Sequence, residues 1–389
     1  MDRIYMDNAA TTPLEEKALE AMMPFLKENY GNPSSAHTFG REVRKAVEET
    51  REKMAFLLGA KPEEIYFTSG GTEADNMAIV GAARALQDRG NHIITTSVEH
   101  HAVLDTCLAL QEEGFEVTVL PVDQHGMVDP DDVRDALQDN TILISVMHAN
   151  NEVGTIQPVE EIGRAARESN VLFHIDAVQA VGNLPVNVET LNVDLLALSA
   201  HKFYGPKGVG LLYVREGTKV NRLTHGGGQE KGMRAGTENI PGIIGMGKAM
   251  ELAYSQLEEN TRRMESLRDR LIQGCLEMEE AKLNGHPTRR LPGNVNVSFE
   301  YIEGEALLLS LDFKGIAASS GSACSSGSMN PSHVLMATGM SEQTARGAIR
   351  FSLGRHNTVE EIDYTLQAVK ESVDKLRSMS SLYQGKGER

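Results

Sequence analysis

The 389-residue chain has no tryptophan, few aromatic residues (5%) and only three cysteines, Cys107, Cys275 and Cys324. The cysteines are scattered, without the paired spacing of zinc or iron–sulfur ligands, and a disulfide framework is not expected. No apolar run approaches the about 18 residues that a membrane helix needs, and the first residues lack the basic-then-apolar pattern of a signal peptide. These absences predict a protein of the reducing cytoplasm that has no membrane partner.

Basic residues are also scarce. The chain has 38 Lys and Arg against 55 Asp and Glu, which gives a formal net charge of −17, and it has no Lys/Arg-rich run. Such a surface repels nucleic acid, so we expect no direct nucleic-acid partner. An apolar fraction of 40% is ordinary for a packed soluble protein. The length predicts two domains.

Short apolar runs alternate with helical patterns between residues 64 and 214. Strand–helix alternation of this kind predicts an α/β fold with a mostly parallel sheet that is covered on both faces. Beyond residue 251 the pattern changes to a long amphipathic helix, 252–278, and then to a mixed α+β stretch. We therefore predict a large domain at 14–255 and a smaller α+β domain formed by 1–13 and 256–389.

Residues 67–75 run from a strand through two glycines into a helix. Glycines let the backbone approach a ligand closely, and a helix N-terminus offers free N–H groups to an anion. Gly71 and Thr72 are therefore candidates for binding a phosphate. The alternative is an ordinary glycine turn in which Thr72 caps the helix.

Lys202 follows an apolar strand directly, with Ser199 and His201 beside it. Partial burial at a strand end favours the neutral, nucleophilic amine, which suits Schiff-base formation with an aldehyde. Ser199 and His201 could donate hydrogen bonds to the same phosphate. For a single lysine taken alone, a solvated loop position is the commoner case.

Asp176, Gln179 and His100 also follow strands. The carboxylate of Asp176 could pair with a protonated pyridine nitrogen and make that ring an electron sink, while Gln179 could hydrogen-bond the ring's phenolic oxygen. The alternative for Asp176 is a helix N-cap. His100 could stack on an aromatic cofactor and move protons, although a single histidine is more often structural.

Cys324 lies among alanine, serine and glycine residues in the segment 317–331. Such a stretch buries little apolar area, which predicts a mobile, exposed thiol that is suited to nucleophilic attack. Cys107 and Cys275, in contrast, have neighbours typical of packed helices. The alternative for Cys324 is an idle surface cysteine, which would be an oxidation liability.

Together and in this order, these motifs resemble the NifS/IscS-like cysteine desulfurases, a group of the class V, fold-type I enzymes that use pyridoxal 5′-phosphate (PLP). The resemblance runs from Tyr5 to Arg355, and the segments 199–208 and 320–328 are its most specific parts. It implies a large domain with a seven-stranded sheet and removal of sulfur from L-cysteine, which yields L-alanine and a persulfide on Cys324. Sulfur would pass on to acceptor proteins of iron–sulfur cluster assembly or tRNA thiolation.

The resemblance also implies a role for each candidate. Lys202 would hold PLP covalently, and the remaining cofactor residues would be Gly71, Thr72, His100, Asn151, Asp176, Gln179, Ser199, His201 and Thr237. Thr237 would reach the phosphate of the neighbouring subunit, which implies a homodimer. Asn151 and Arg355 would bind the substrate, with Arg355 clamping its carboxylate. No metal site is implied, apart from transient iron–sulfur ligation by Cys324 through its persulfide.

Two other functions remain open from the residues alone. A class V aminotransferase or lyase would need Lys202 and Asp176 but would have no use for Cys324. A protein without enzymatic activity could carry sulfur or a cluster on Cys324 and would not need Lys202.

Overall fold

A computed structural model describes residues 3–320, 331–380 and 383. Its strands are β1 Ile4–Tyr5, β2 Ile65–Thr68, β3 His92–Thr96, β4 Glu116–Leu120, β5 Thr141–Ser145, β6 Leu172–Asp176, β7 Leu195–Ser199, β8 Gly210–Val214, β9 Ala281–Leu283, β10 Asn294–Phe299, β11 Ile316–Ala317 and β12 Ala348–Ser352. Its α-helices are α1 Glu16–Lys27, α2 Thr38–Leu58, α3 Gly71–Leu86, α4 His101–Glu112, α5 Pro130–Asp135, α6 Val159–Glu168, α7 Ile240–Ser255, α8 Leu257–Leu276, α9 Gly304–Phe313, α10 His333–Ala337, α11 Glu342–Arg346 and α12 Val359–Met379.

The largest sheet has seven strands within the described residues, in the order β2-β8-β7-β6-β5-β3-β4. Its pairs are parallel from β7 through β6, β5 and β3 to β4, whereas β8 runs antiparallel to both of its neighbours. The predicted α/β class with a mostly parallel seven-stranded sheet is confirmed.

Apolar side chains on both faces of the central strands explain why this sheet is covered on both sides. Along β7, Leu196 and Leu198 belong to one buried cluster, and Leu195 and Ala197 belong to another. Successive residues of a strand point to opposite faces, so a continuous apolar run requires cover on each face. Helix α3 lies in the second cluster through Ala74, Ala78 and other residues of its apolar face.

A second core forms from the remainder of the chain. The antiparallel sheet β12-β10-β9 and the short parallel pair β1-β11 pack with α8, α9 and α12 around residues such as Phe299 and Phe351. Ile4 and Met6 lie in this core, so the N-terminal strand joins C-terminal elements. The exact domain boundaries stay a prediction.

The long helix expected over 252–278 is interrupted at Gln256, which ends α7 and precedes α8. Met250 and Ala253 of α7 pack in the core of the large sheet, whereas Leu267 and Leu271 of α8 pack in the second core. The two helices therefore pack in different cores. Among the described residues, no helix is both long and apolar enough to cross a membrane.

Candidate active site

The carboxyl ends of β6 and β7 and the first turn of α3 surround a cavity of about 210 Å³. Parallel sheets place ligand sites at this edge, where loops and helix N-termini converge. The cavity contains every predicted cofactor residue except Thr237. Its lining consists of Gly71, Thr72, Asp75, His100, Met147, Ala149, Asn151, Asp176, Val178, Gln179, Ser199, His201 and Lys202.

Lys202 ends a short 3₁₀ turn that follows β7. Its Nζ donates hydrogen bonds to the carbonyl oxygens of Ala9 at 2.6 Å and Ala10 at 2.8 Å. The N-terminal segment therefore orients the amine at the cavity wall. Gln179 donates to the same Ala9 carbonyl at 2.9 Å, which fixes its side chain beside the lysine.

Asp176 closes the base of the cavity at the end of β6, where only 6% of its surface is exposed. Burial raises the pKa of its carboxyl, and His100, the N–H of Val178 and Lys202 act in the opposite direction. The Val178 N–H donates to Asp176 Oδ1 at 2.9 Å. This carboxylate consequently suits a cationic ligand atom, because a positive charge would offset the cost of its burial.

The first turn of α3 has the form expected of an anion cradle. Helix α3 begins at Gly71 after Gly70, and no side chain caps its N-terminus. The alternative in which Thr72 is the cap is therefore wrong, because Thr72 already lies inside the first turn. A Cβ added to Gly71 would come within 2.7 Å of Val178 Cγ2, so this position has no room for a side chain. The free N–H groups of this turn can bind a phosphate.

Burial favours the neutral forms of His201 and His100. Burial, and then the charges of Lys202 and Lys207, lower the pKa of His201 to about 4. Burial also lowers the pKa of His100. His100 caps α4, and its Nδ1 accepts a hydrogen bond from the N–H of Ala102 at 3.1 Å. The proton of the neutral His100 ring therefore lies on Nε2, which is a donor available to a ligand.

The structure separates the two predicted substrate residues. Asn151 lies in the cavity, and its carbonyl accepts a hydrogen bond from Arg350 at 3.0 Å. Arg355 instead lines a smaller adjoining cavity of about 50 Å³, which shares Gln179 and Lys202 with the first. The guanidinium of Arg355 lies 4.0 Å above the ring of Tyr204 and contacts the carboxylate of Glu15. Its role as a carboxylate clamp stays a prediction.

The remaining candidate residues are Thr237 and the three cysteines. Thr237 is exposed in the loop before α7 and does not line the cavity of its own chain. Cys324 lies outside the described residues, so its predicted mobility and role stay predictions. Cys107 and Cys275 are buried in helices, and burial raises the pKa of both thiols to about 12. The expectation that these two cysteines are packed in helices is confirmed.

Asp75 lines the cavity but was not among the predicted site residues. It is 1% exposed, and burial, followed by the charges of Asp176 and Glu99, raises its pKa well above the usual range. Asp75 lies on the apolar face of α3 with Ala74 and Ala78, and an acidic residue on an apolar helical stripe was the available signal. Within the described residues, no group of three or more His, Cys, Asp or Glu side chains is arranged to bind a metal ion.

Comparison with known proteins shows the family. Residues 4–365 match the model of the aminotransferase class-V family. The chain belongs to this family. It is 58% identical over 379 residues to the cysteine desulfurase IscS of Methanosarcina thermophila, which covers 97% of this chain and 94% of that one. It is 56% identical over 378 residues to the IscS of Dictyoglomus turgidum, covering 97% and 96%.

A solved structure described as a NifS-like protein superposes with a TM-score of 0.91 at 44% identity, over 96% of this chain and 100% of that one. Class-V enzymes of this group use PLP, and the cavity has the groups that PLP requires. Lys202 would present its amine to the aldehyde, and Asp176 would present a buried carboxylate to the ring nitrogen. The uncapped first turn of α3 would present N–H groups to the phosphate.

Proposed function

We propose that this chain is a PLP-dependent cysteine desulfurase that converts L-cysteine to L-alanine and receives the sulfur on Cys324. The observation that carries the proposal is the convergence of Lys202, Asp176 and the first turn of α3 on one cavity of about 210 Å³. The high identity to proteins described as cysteine desulfurases selects this reaction among those of the family.

PLP, when bound, supplies an electron sink that acidifies the Cα–H bond and exposes the substrate sulfur to nucleophiles. Lys202 would hold the cofactor through its amine and, once released, would move the proton at the substrate Cα as a general base. Asp176 would pair with the ring nitrogen, where burial strengthens the interaction between opposite charges. His100, with its proton on Nε2, is placed to donate to the substrate or its leaving product.

The sulfur transfer balances without an external oxidant or reductant. The Cys324 thiolate attacks the substrate sulfur, an S–S bond forms, and the C–S bond of cysteine breaks. The electron pair of the C–S bond stays with the carbon fragment, which gains protons and leaves as alanine. Because only the thiolate is nucleophilic, protonated Cys324 would stop this step.

The partners follow from the same reaction. We propose a cytoplasmic homodimer in which Thr237 of each chain reaches the phosphate site of the other, and the exposure of Thr237 outside its own cavity supports this arrangement. Acceptor proteins of iron–sulfur assembly or tRNA thiolation would receive the sulfur. The net charge of −17 argues against direct binding of tRNA or DNA.

The decisive experiment mixes the purified PLP-loaded protein with L-cysteine and measures alanine and sulfide, with and without a thiol reductant. We expect alanine in both conditions and sustained sulfide release only with the reductant, which cleaves the persulfide. Cys324→Ala should abolish both products while leaving the visible absorbance of the cofactor intact. Alanine formation that survives in this variant would indicate a lyase that does not use the cysteine, and no alanine from the loaded wild type would contradict the proposal.

A further inference from the structure

At the wall of the cavity lies a buried pair of titratable side chains that the reaction above does not use. Asp75 Oδ1 of α3 lies 3.4 Å from His174 Nε2 of β6, and the two side chains are 1% and 0% exposed. Neither atom has another hydrogen-bonding partner among the described residues. Asp75 also lines the cavity, whereas His174 does not.

His174 is held from its other side. Its Nδ1 lies 2.8 Å from the Oγ of Ser145, which is its register partner on the neighbouring strand β5. His174 and Asp176 are two positions apart on β6, so their side chains project from the same face of the sheet. The connected side chains of Ser145, His174 and Asp75 therefore include one, His174, that lies on the same face of β6 as Asp176.

The buried carboxyls of Asp75 and Asp176 cannot both carry an unpaired negative charge without a large cost in free energy. Two ionised carboxylates in one buried site repel each other, and one of them must be neutralised. The groups that face them are Glu99 next to Asp75, and His100 and Lys202 next to Asp176. Burial lowers the pKa of His174 to about 3, and burial together with Asp176 raises that of Asp75, so both groups favour their neutral forms.

We propose that Asp75 and His174 share one proton as a pair without net charge, and that this pair keeps the negative charge of the site on Asp176. In this arrangement the Asp75 acid donates to His174 Nε2, and His174 Nδ1–H donates to Ser145. The arrangement satisfies both otherwise unpartnered atoms. Asp75 and His174 are thus positioning residues for the contact of Asp176 with the cofactor, an inference that rests on the proposed PLP chemistry.

The two members of the pair differ in what their loss does. Asp75→Asn replaces one neutral partner by another, because the amide can donate to His174 Nε2. His174→Gln instead offers an amide donor to Asp75, which favours its ionised form and places a second negative charge beside Asp176. A like charge at this site raises the pKa of Asp176 and weakens its pairing with the ring nitrogen.

The test measures the dissociation constant of PLP and the pH titration of the bound cofactor's visible absorbance. We expect His174→Gln to weaken PLP binding about tenfold and to move the absorbance titration by about one pH unit. The double variant Asp75→Asn/His174→Gln should recover PLP binding to within about threefold of the wild type, because it removes the charge. The melting temperature of each cofactor-free variant reports structural damage separately.

His92→Gln is the matched control, because His92 is also buried in the large sheet and bonds Thr141 and Thr118, each at 2.8 Å. It should leave PLP binding unchanged. A double variant that binds PLP as weakly as His174→Gln, or more weakly, would overturn the inference. If His174→Gln does not fold, Asp75→Asn decides alone, since a tenfold loss of affinity would contradict a neutral pair.

These outcomes are separable from the proposed function. The desulfurase proposal depends on alanine and persulfide formation by the wild type. The inference depends only on PLP affinity and absorbance in the variants. If the wild type makes alanine but the double variant does not recover PLP affinity, the inference is contradicted and the proposed function is retained.

Discussion

The Nζ atom of Lys202 lies 2.6 Å from the carbonyl oxygen of Ala9 and donates a hydrogen bond to it across 193 positions of sequence. The same carbonyl accepts a hydrogen bond from Gln179 at 2.9 Å. One backbone group of the N-terminal segment thereby orients two side chains of the cofactor cavity. Ile4 and Tyr5 pair with β11, and Ile4 and Met6 pack in the second core. The N-terminal segment therefore connects that core to the Lys202 amine.

Replacement of Lys202 by alanine should remove the covalent attachment of PLP and the general base at once. We expect loss of the visible absorbance band of the wild type and a fall in alanine formation of at least about 100-fold. Lys207→Ala, an exposed lysine of the same loop, is the matched control and should retain both. Normal turnover by Lys202→Ala would refute the assigned role.

A side chain at Gly71 should damage the phosphate cradle. The added Cβ of Gly71→Ala would lie 2.7 Å from Val178 Cγ2, and overpacking of this kind costs about 1–3 kcal/mol. We expect weaker PLP binding by equilibrium titration, with recovery in Gly71→Ala/Val178→Ala, where the clash is relieved. Gly228→Ala is the control, because nothing lies within 4 Å of its added Cβ. Unchanged PLP affinity in Gly71→Ala would show that the turn tolerates a side chain.

Arg355 should control the affinity for cysteine rather than for the cofactor. Its guanidinium now contacts Glu15, and a substrate carboxylate would have to replace that contact. Arg355→Gln should raise the KM for cysteine about 10-fold to 100-fold, which is the range of a charged hydrogen bond. Glu15→Gln should lower the KM, since it removes the competing carboxylate.

Arg262→Gln is the control for Arg355, because Arg262 is an exposed arginine on α8. It should leave the KM for cysteine unchanged. A KM that is unaltered in Arg355→Gln would place the carboxylate clamp elsewhere.

Glu152 should make stability depend on pH. Burial raises its pKa from 4.5 to about 7, and its Oε2 accepts a 2.5 Å hydrogen bond from Ser332. A carboxyl whose folded pKa is raised contributes stability that is full below the unfolded pKa and is lost as pH rises through the folded pKa. Wild-type stability from this group should therefore fall between pH 4.5 and about 7.

Glu152→Gln removes this titration while keeping an oxygen that accepts from Ser332. Urea unfolding at pH 5 and pH 8 should show that the variant gains stability relative to the wild type at the higher pH, by on the order of 2–3 kcal/mol. Glu160→Gln, on the exposed face of α6, controls for the loss of a carboxylate. A stability difference independent of pH would contradict the raised pKa.

Local chemistry made much of the cavity predictable. Lys202 and Gly71 each follow a strand, and Asp176 ends one. Because the ends of parallel strands meet at one edge of a sheet, the convergence of these residues was predictable from their order and type. The residue at which α3 begins was harder to predict from sequence. Thr72 is an ordinary cap residue by type, yet the helix begins at Gly71 after a Gly70 cap, two residues earlier than a Thr72 cap would require.

Contacts between distant elements were not predictable in the same way. The pairing of Asp75 with His174 depends on how α3 packs on β6, and nothing local to either residue specifies the other. The break at Gln256 separates α7, which packs in the core of the large sheet, from α8, which packs in the second core. The position of Arg355 beside Glu15 is likewise a result of packing.

By itself the amino-acid sequence predicted the fold class through its periodicity, which acts over short stretches of chain, and its resemblance to a family predicted the PLP cofactor and the role of Lys202. Only the tertiary structure decided which carbonyls accept hydrogen bonds from Lys202, which buried acid contacts His174 and which residues lie outside the cavity. These features depend on burial and on distances between remote segments. Burial sets the protonation of the site, and it exists only once the sheet and its helices have packed.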